Sequence, residues 1–400
     1  MHLKAIFAAH SNGSSIHGDP VVCARYTVAL TALLFSASLS LAQESVPASF
    51  TVKAINAAEK GVKDTKGWAA DLHAVLVENG FPPSKENVCA TIAIIDQESG
   101  FAANPAVPGL GRLAENAISE KLRAYPIIGL QAIDYLERTP SPDDSFMQRI
   151  RTSRTERDLD LAYRSLVAHA ADRASIGVAL NSGLLNRVIE DRNEISTIGS
   201  MQVSVEFALE TERDKRWTHM TLKDVYAVRD ALYTRKGGML YGTRLLLGYE
   251  TGYDKKVYRF ADYNAGRYAS RNAAFQFVVS ELSGADLSRD GDLLSYRGSR
   301  AAKDASKTES AIQAAVKQLK LTLTGAEIRR DLLKEKSKEF DKTSLFRLLR
   351  QGYEKRFGKA APFAMIPEIE LSSIKITRKM TTRNFAESVD RRYRRCMAVK

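Results

Sequence analysis

Apolar residues recur three and four positions apart along most of this 400-residue chain, whereas the two-residue alternation of a strand is confined to a short run at 366–376. The pattern restricts the fold to the mainly α class. Between 50 and 81, Trp68, Leu72 and Leu76 share one helix face before Gly80 and the pair Pro82-Pro83 stop the helix. A second helix is predicted to begin at Ser84, whose hydroxyl can accept a hydrogen bond from a free N–H of the first turn, and to end at Gly100. Residues 103–195 mix a Pro- and Gly-containing loop, helical stretches and a charged run at 149–160. Helical spacing returns through 220–250 and 257–282, and the polar stretch 284–307 reads as a linker. No segment repeats.

Charge divides the chain unevenly. Residues 301–400 carry 24 Lys and Arg against 12 Asp and Glu, while the first 300 residues carry 35 of each, so the whole excess of +12 lies in the last hundred. Such a stretch, read as a basic C-terminal module over 301–400, suits an anionic partner or is a solvated helical surface. No nucleic-acid fold is recognisable around it, and no nucleic acid is expected. Residues 25–42 combine Arg25, a moderately apolar stretch and small residues at Ser40 and Ala42. That is the pattern of an export signal cleaved after Ala42, although the polar leader before Arg25 is atypical. The predicted location is therefore exported and periplasmic, with membrane association left open. Cys23 precedes the apolar stretch, and Cys89 and Cys396 either pair in an oxidising compartment or stay as two thiols. The six histidines are scattered, so no metal site and no cofactor are expected.

On the helix expected at 84–99, successive residues turn by about 100°. Glu98 then borders the buried stripe of Val88, Ile92 and Ile95, while Asp96 lies on another face. The last turn of a helix and partial burial both disfavour a charged carboxylate, so Glu98 is predicted to have a raised pKa, as a general acid requires. A Glu before Gly at a helix end is common, and alone it carries little.

Three downstream motifs add weight to it. Glu98-Ser99-Gly100-Phe101 is succeeded by Gly199-Ser200-Met201-Gln202, by the glycine-containing helix pattern Gly238-Met239-Leu240-Tyr241-Gly242-Thr243, and by Tyr263-Asn264-Ala265-Gly266. In this order the motifs resemble those of the soluble, goose-lysozyme-like lytic transglycosylases, across about 85–103 and 197–275. The chain departs from that pattern in three places. About a hundred residues separate the first two motifs, Arg267-Tyr268 replaces the usual Pro-Gly, and Asp262 stands where Ala is commonest.

The resemblance implies a lysozyme-like helical catalytic domain over 43–290 with a long helical insertion at 103–195. It implies cleavage of the β-1,4 bond between N-acetylmuramic acid and N-acetylglucosamine in peptidoglycan, with Glu98 as the single general acid and base and 1,6-anhydro ends as product. Tyr263 would orient Glu98 or the substrate, and Ser99, Met201, Gln202 and Asn264 would shape the cleft or bind the N-acetyl sugars. A bland reading stands beside each: Met201 as core, Asn264 as a helix cap, the glycines as packing positions. Hydrolysis of the lysozyme type, or glycan binding without turnover, are the alternatives. Partners implied are peptidoglycan strands and an anionic envelope surface touched by the basic stretch.

Overall fold

The computed structural model describes residues 44–173, 193, 195–297, 300–371 and 380–400. The predicted export signal, Cys23, His2, His10, His17 and part of the 366–376 run lie outside the described residues. Helices dominate, as the periodicity predicts, and strands among the described residues are two-residue pairs. Gln43–Lys400 forms one compact unit.

The helices α1 (Ala48–Ala58) and α2 (Thr65–Glu78) lead to α3 (Lys85–Glu98). Ser84 caps α3 by accepting from the Asn87 N–H at 3.3 Å, and Gly100, at φ 56°, ends it. Both ends lie where the capping residues predict. The surroundings of α3 do not match a simple apolar stripe, because every residue from Val88 to Ile95 is buried. A helix apolar on all sides has to be encased.

The casing comes from α1, α2, α10 (Arg235–Leu247) and, late in the chain, α16 (Thr382–Met397). Phe385, Ala386 and Val389 of α16 enter the same core as Ile92 and Ile95. Cys396 forms a disulfide with Cys89 across 307 positions, with Cα atoms 5.5 Å apart, so of the two readings open for these cysteines the pair stands. Arg392 and Arg395 of α16 reach the Asp96 carboxylate at 2.9 and 3.7 Å, and Lys85 donates to the Val399 carbonyl at 2.8 Å.

Residues 301–400 therefore divide between two cores. Helices α13 (Lys307–Gln318), α14 (Gly325–Leu332) and α15 (Ser344–Phe357) build a second core with α12 (Ala269–Ser283), while α16 completes the first. The stretch 284–307 is not a linker. Leu287, Leu293 and Leu294 bury into the second core, and Asn272 of α12 donates to the Gly291 carbonyl at 3.0 Å. Three leucines spaced among polar residues lack the periodicity that would have marked the segment as packed.

Inside 103–195, helices α4 (Leu110–Arg123), α5 (Ile128–Arg138), α6 (Phe146–Thr152) and α7 (Glu156–Arg173) pack on one another around small cores. Their anchor to the rest is electrostatic. Asp160 of α7 meets Arg229 of α9 (Leu222–Leu232) at 2.7 Å with both side chains fully buried, and Asn193 donates to the same carboxylate at 3.0 Å. Removing one partner of such a pair costs about 3–5 kcal/mol, because the other charge stays buried.

Removal of the disulfide that closes this long loop is expected to cost about 2–5 kcal/mol. Calorimetry of the Cys89→Ala/Cys396→Ala variant should show a lower melting temperature under oxidising conditions. Under reducing conditions the unaltered chain should move to the same value.

Candidate active site

The antiparallel pair β1 (Thr197–Ile198) and β2 (Val203–Ser204) joins Ile198 to Val203, which makes Gly199-Ser200-Met201-Gln202 a four-residue turn. Ser204 then caps α8 (Val205–Arg213), accepting from the Phe207 N–H. Gly199 has φ 85°, and a Cβ there would lie 2.1 Å from the Leu232 carbonyl oxygen, so only glycine fits. Gln202 also occupies the left-handed region, at φ 47°. Its contacts hold it there. The Gln202 N–H donates to the Gly199 carbonyl at 3.0 Å, and its amide oxygen accepts from Thr197 at 2.9 Å. Its amide nitrogen donates to the Glu156 carboxylate at 3.2 Å.

The glycines of α10 make room for this turn. A Cβ on Gly242 would sit 2.3 Å from the Met201 sulfur, and one on Gly238 would sit 3.1 Å from the Ser200 hydroxyl. Met201 is consequently completely buried. Expected as part of the cleft lining, its side chain is instead core, and its carbonyl is the group that the neighbouring motif meets.

Two further motifs close on the same turn. Ser99, the residue after Glu98, donates to the Ser200 carbonyl at 2.8 Å. Tyr263, near the end of α11 (Lys256–Ala265), donates to the Met201 carbonyl at 2.7 Å. Glu98 itself is half-buried at the last position of α3. Burial, with the charge of Glu98 adding to it, pushes the Tyr263 hydroxyl well above its ordinary pKa, so it remains a donor. Phe101 turns back at φ 64° and packs edge-on against Trp68, ring centres 5.4 Å apart, fixing the chain as it leaves Glu98. Asn264 accepts from Thr382 of α16 at 2.8 Å, so it ties α11 to the C-terminal helix rather than serving only as a cap. Glu98, Ser99, Tyr263 and the Gly199–Gln202 turn are thus brought together, while the amide of Gln202 and the side-chain oxygen of Asn264 are engaged by protein groups.

Two contributors were not legible as site residues. Glu156, almost fully buried at the start of α7, reaches Gln202 from within the 103–195 segment. Asp262 is fully buried and accepts from the Tyr249 and Tyr253 hydroxyls at 3.1 and 2.7 Å and from the Tyr268 and Ser270 N–H groups at 2.9 and 2.6 Å. It clasps the start of α12 directly beside Tyr263, and two tyrosines 9 and 13 residues upstream are the signal that marks it. Among the described residues no group of three or more His, Cys, Asp or Glu could hold a metal ion.

Residues 61–399 match the family described as "Protein of unknown function (DUF1615)", and the chain belongs to that family. It is 38% identical over 336 residues to "Uncharacterized protein YaiW" of Escherichia coli (strain K12), a span of 84% of this chain and 86% of that protein. No solved structure matches.

Burial raises the Asp262 carboxyl from the ordinary aspartate value of 3.8 to about 6, against the lowering effect of the hydrogen bonds from Ser270, Tyr253 and Tyr249. Between those two values the folded state binds the proton that the unfolded state has released, so this group's contribution to stability falls as pH rises from 3.8 to about 6. Urea unfolding of the unaltered chain and of Asp262→Asn across about pH 4–6.5 should show the unaltered chain gaining on the variant as pH falls. A constant difference would remove the assignment.

Proposed function

We propose that the chain is a peptidoglycan lytic transglycosylase with a lysozyme-like catalytic domain and Glu98 as its single general acid and base. The observation that carries this reading is the meeting of three separated motifs on one turn, through Ser99 to Ser200 and Tyr263 to Met201, with Glu98 close enough to bias Tyr263. Four short motifs in one order support the resemblance, and their convergence is what a shared site requires. A mainly helical architecture suits it as well.

Glu98 would give its proton to the oxygen that leaves C1 of N-acetylmuramic acid. The resulting carboxylate would then take the proton of the C6 hydroxyl as that oxygen attacks C1 and closes the 1,6-anhydro ring. No water is consumed. Tyr263 has committed its one proton to Met201, so towards the acid its oxygen offers only lone pairs. That suits a carboxylic acid that must hold its proton until the glycosidic bond breaks. Asp96, on the other face of α3 and paired with Arg392, has no part in the chemistry.

Hydrolysis of the lysozyme type is the alternative reading, and product analysis separates the two. The basic excess of 301–400 is proposed to draw the protein towards anionic envelope polymers, less the part consumed by Asp96. The location in keeping with this reading is the periplasm.

Digestion of purified sacculi with mass spectrometry of the released muropeptides separates the readings: anhydro products for the transglycosylase, hydrated products for a lysozyme, none for a binding protein. Glu98→Gln, nearly isosteric, should lower the rate by about 10²–10⁴ without loss of fold. Tyr263→Phe should reduce kcat more than it raises KM, and unchanged kcat would detach Tyr263 from the reacting centre.

A further inference from the structure

A cleft of about 160 Å³ opens where the C-terminal ends of α2 and α8 meet α10. From α10 it takes Leu240, Tyr241 and Arg244, a face turned away from Gly238 and Gly242, so it is separate from the turn beside Glu98. Its volume lies below the roughly 300–1,000 Å³ of drug-sized pockets, and its occupant is accordingly small.

Most of the charge around the cleft is answered within the protein. Lys215 meets Glu212 at 2.7 Å, Arg216 meets Asp224 at 2.9 Å, Arg213 meets Glu206 at 3.2 Å and Glu78 meets Lys236 at 3.2 Å. Glu210 and Asp214, the other acids of this stretch, do not line the cleft, and Glu210 lies within reach of Lys336. Arg244 differs from these cations. Among the described residues no acid pairs with its guanidinium. Arg267, which donates to the Arg244 and Leu245 carbonyls, adds a second cation beside it.

Two uncharged groups complete the lining. Thr211 is 6% exposed, yet its hydroxyl bonds to no protein group among the described residues. A buried hydroxyl without a partner costs free energy unless something outside the protein meets it. Asn79 donates its amide hydrogens to the Leu240 carbonyl and the Thr243 hydroxyl, both at 2.8 Å. A carbonyl can only accept, so the orientation of the Asn79 amide is fixed. Its oxygen is left as an acceptor with no donor among the described residues.

We infer that this cleft binds a carboxylate adjoining an amide N–H, the chemistry of an N-acylated amino acid and of the carboxyl end of a peptide. Arg244 and the Thr211 hydroxyl would hold the carboxylate, the Asn79 oxygen would accept from the amide N–H, and the Leu240 side chain would carry a small aliphatic group. One unanswered cation in the lining, with the Glu78 carboxylate beside it, matches a single negative charge better than a phosphate dianion. A neutral sugar would leave the guanidinium unused. The inference does not depend on what Glu98 does.

Calorimetric titration of the full chain with N-acetylalanine should show saturable binding, and N-acetylalaninamide, which lacks the charge, should bind about tenfold or more weakly. Arg244→Gln should lose the acid to the same extent, and Thr211→Val, which keeps the shape and removes the hydroxyl, should weaken it about threefold to tenfold. Arg244 is exposed and the Thr211 hydroxyl holds nothing in the protein, so both variants should keep the melting temperature of the unaltered chain. Acetyl-trialanine separates the two sources. Tighter binding than N-acetylalanine assigns a peptide end, and equal binding assigns a single acylated amino acid. No saturable binding at millimolar concentration, equal affinity for the acid and its amide, or no loss on Arg244→Gln would each overturn the proposal. Inorganic phosphate binding as tightly as N-acetylalanine at the same site would reduce it to an unselective anion hole and overturn it as well.

Discussion

The main core of this molecule depends on covering α3. Eight consecutive buried residues, Val88 to Ile95, leave that helix no face for solvent, and the cover is completed by α16 from the far end of the sequence. The contact between them is mixed in kind: apolar through Phe385 and Val389, covalent through Cys89 and Cys396, ionic through Asp96 and Arg392. Glu98 projects from the end of the helix so held. Arg392 ties the same turn of the helix through Asp96, and Ser99 fixes the chain immediately after Glu98. In the proposed reaction Glu98 would need that restraint, because misplacement by about an ångström can cost a hundredfold in rate.

The Gly199–Gln202 turn has the corresponding part on the other side of the site. Its two carbonyls receive Ser99 and Tyr263, and its own shape depends on the absence of side chains at Gly199, Gly238 and Gly242. Glycine in the middle of α10 is unfavourable for the helix by about 1 kcal/mol each. Close approach of the turn is the evident compensation. The 103–195 segment also enters here through Glu156, so it is joined to the site and is not merely an appendage.

How much of this the sequence shows can be judged residue by residue. The bounds of α3 are readable from Ser84 and Gly100 because capping is local chemistry. The association of Glu98, Ser99, Tyr263 and the Gly199 turn is what the resemblance carried by the motif order implies. Which group bonds to which is not, since Met201 reads equally as lining or core and the glycines above it decide the matter. Nor is the division of 301–400 between two cores, which depends on contacts spanning about three hundred positions, far outside any window of periodicity. Asp262 is the instructive case. It departs from the residue usual at that place, and the explanation is a set of tyrosines and turn N–H groups that only folding collects around it.

The pairing of α3 with α16 also bears on how the chain reaches this state. Helical proteins ordinarily fold quickly because their contacts are between near neighbours. Here the contact that seals the main core joins segments 307 positions apart, and closing such a loop has an entropic cost that must be met before any burial rewards it. Until α16 arrives, α3 presents a bare apolar face. The order of assembly is accordingly expected to resemble that of a β-rich protein of high contact order, with early local helices and a late, slow, cooperative closure, although strands are few among the described residues.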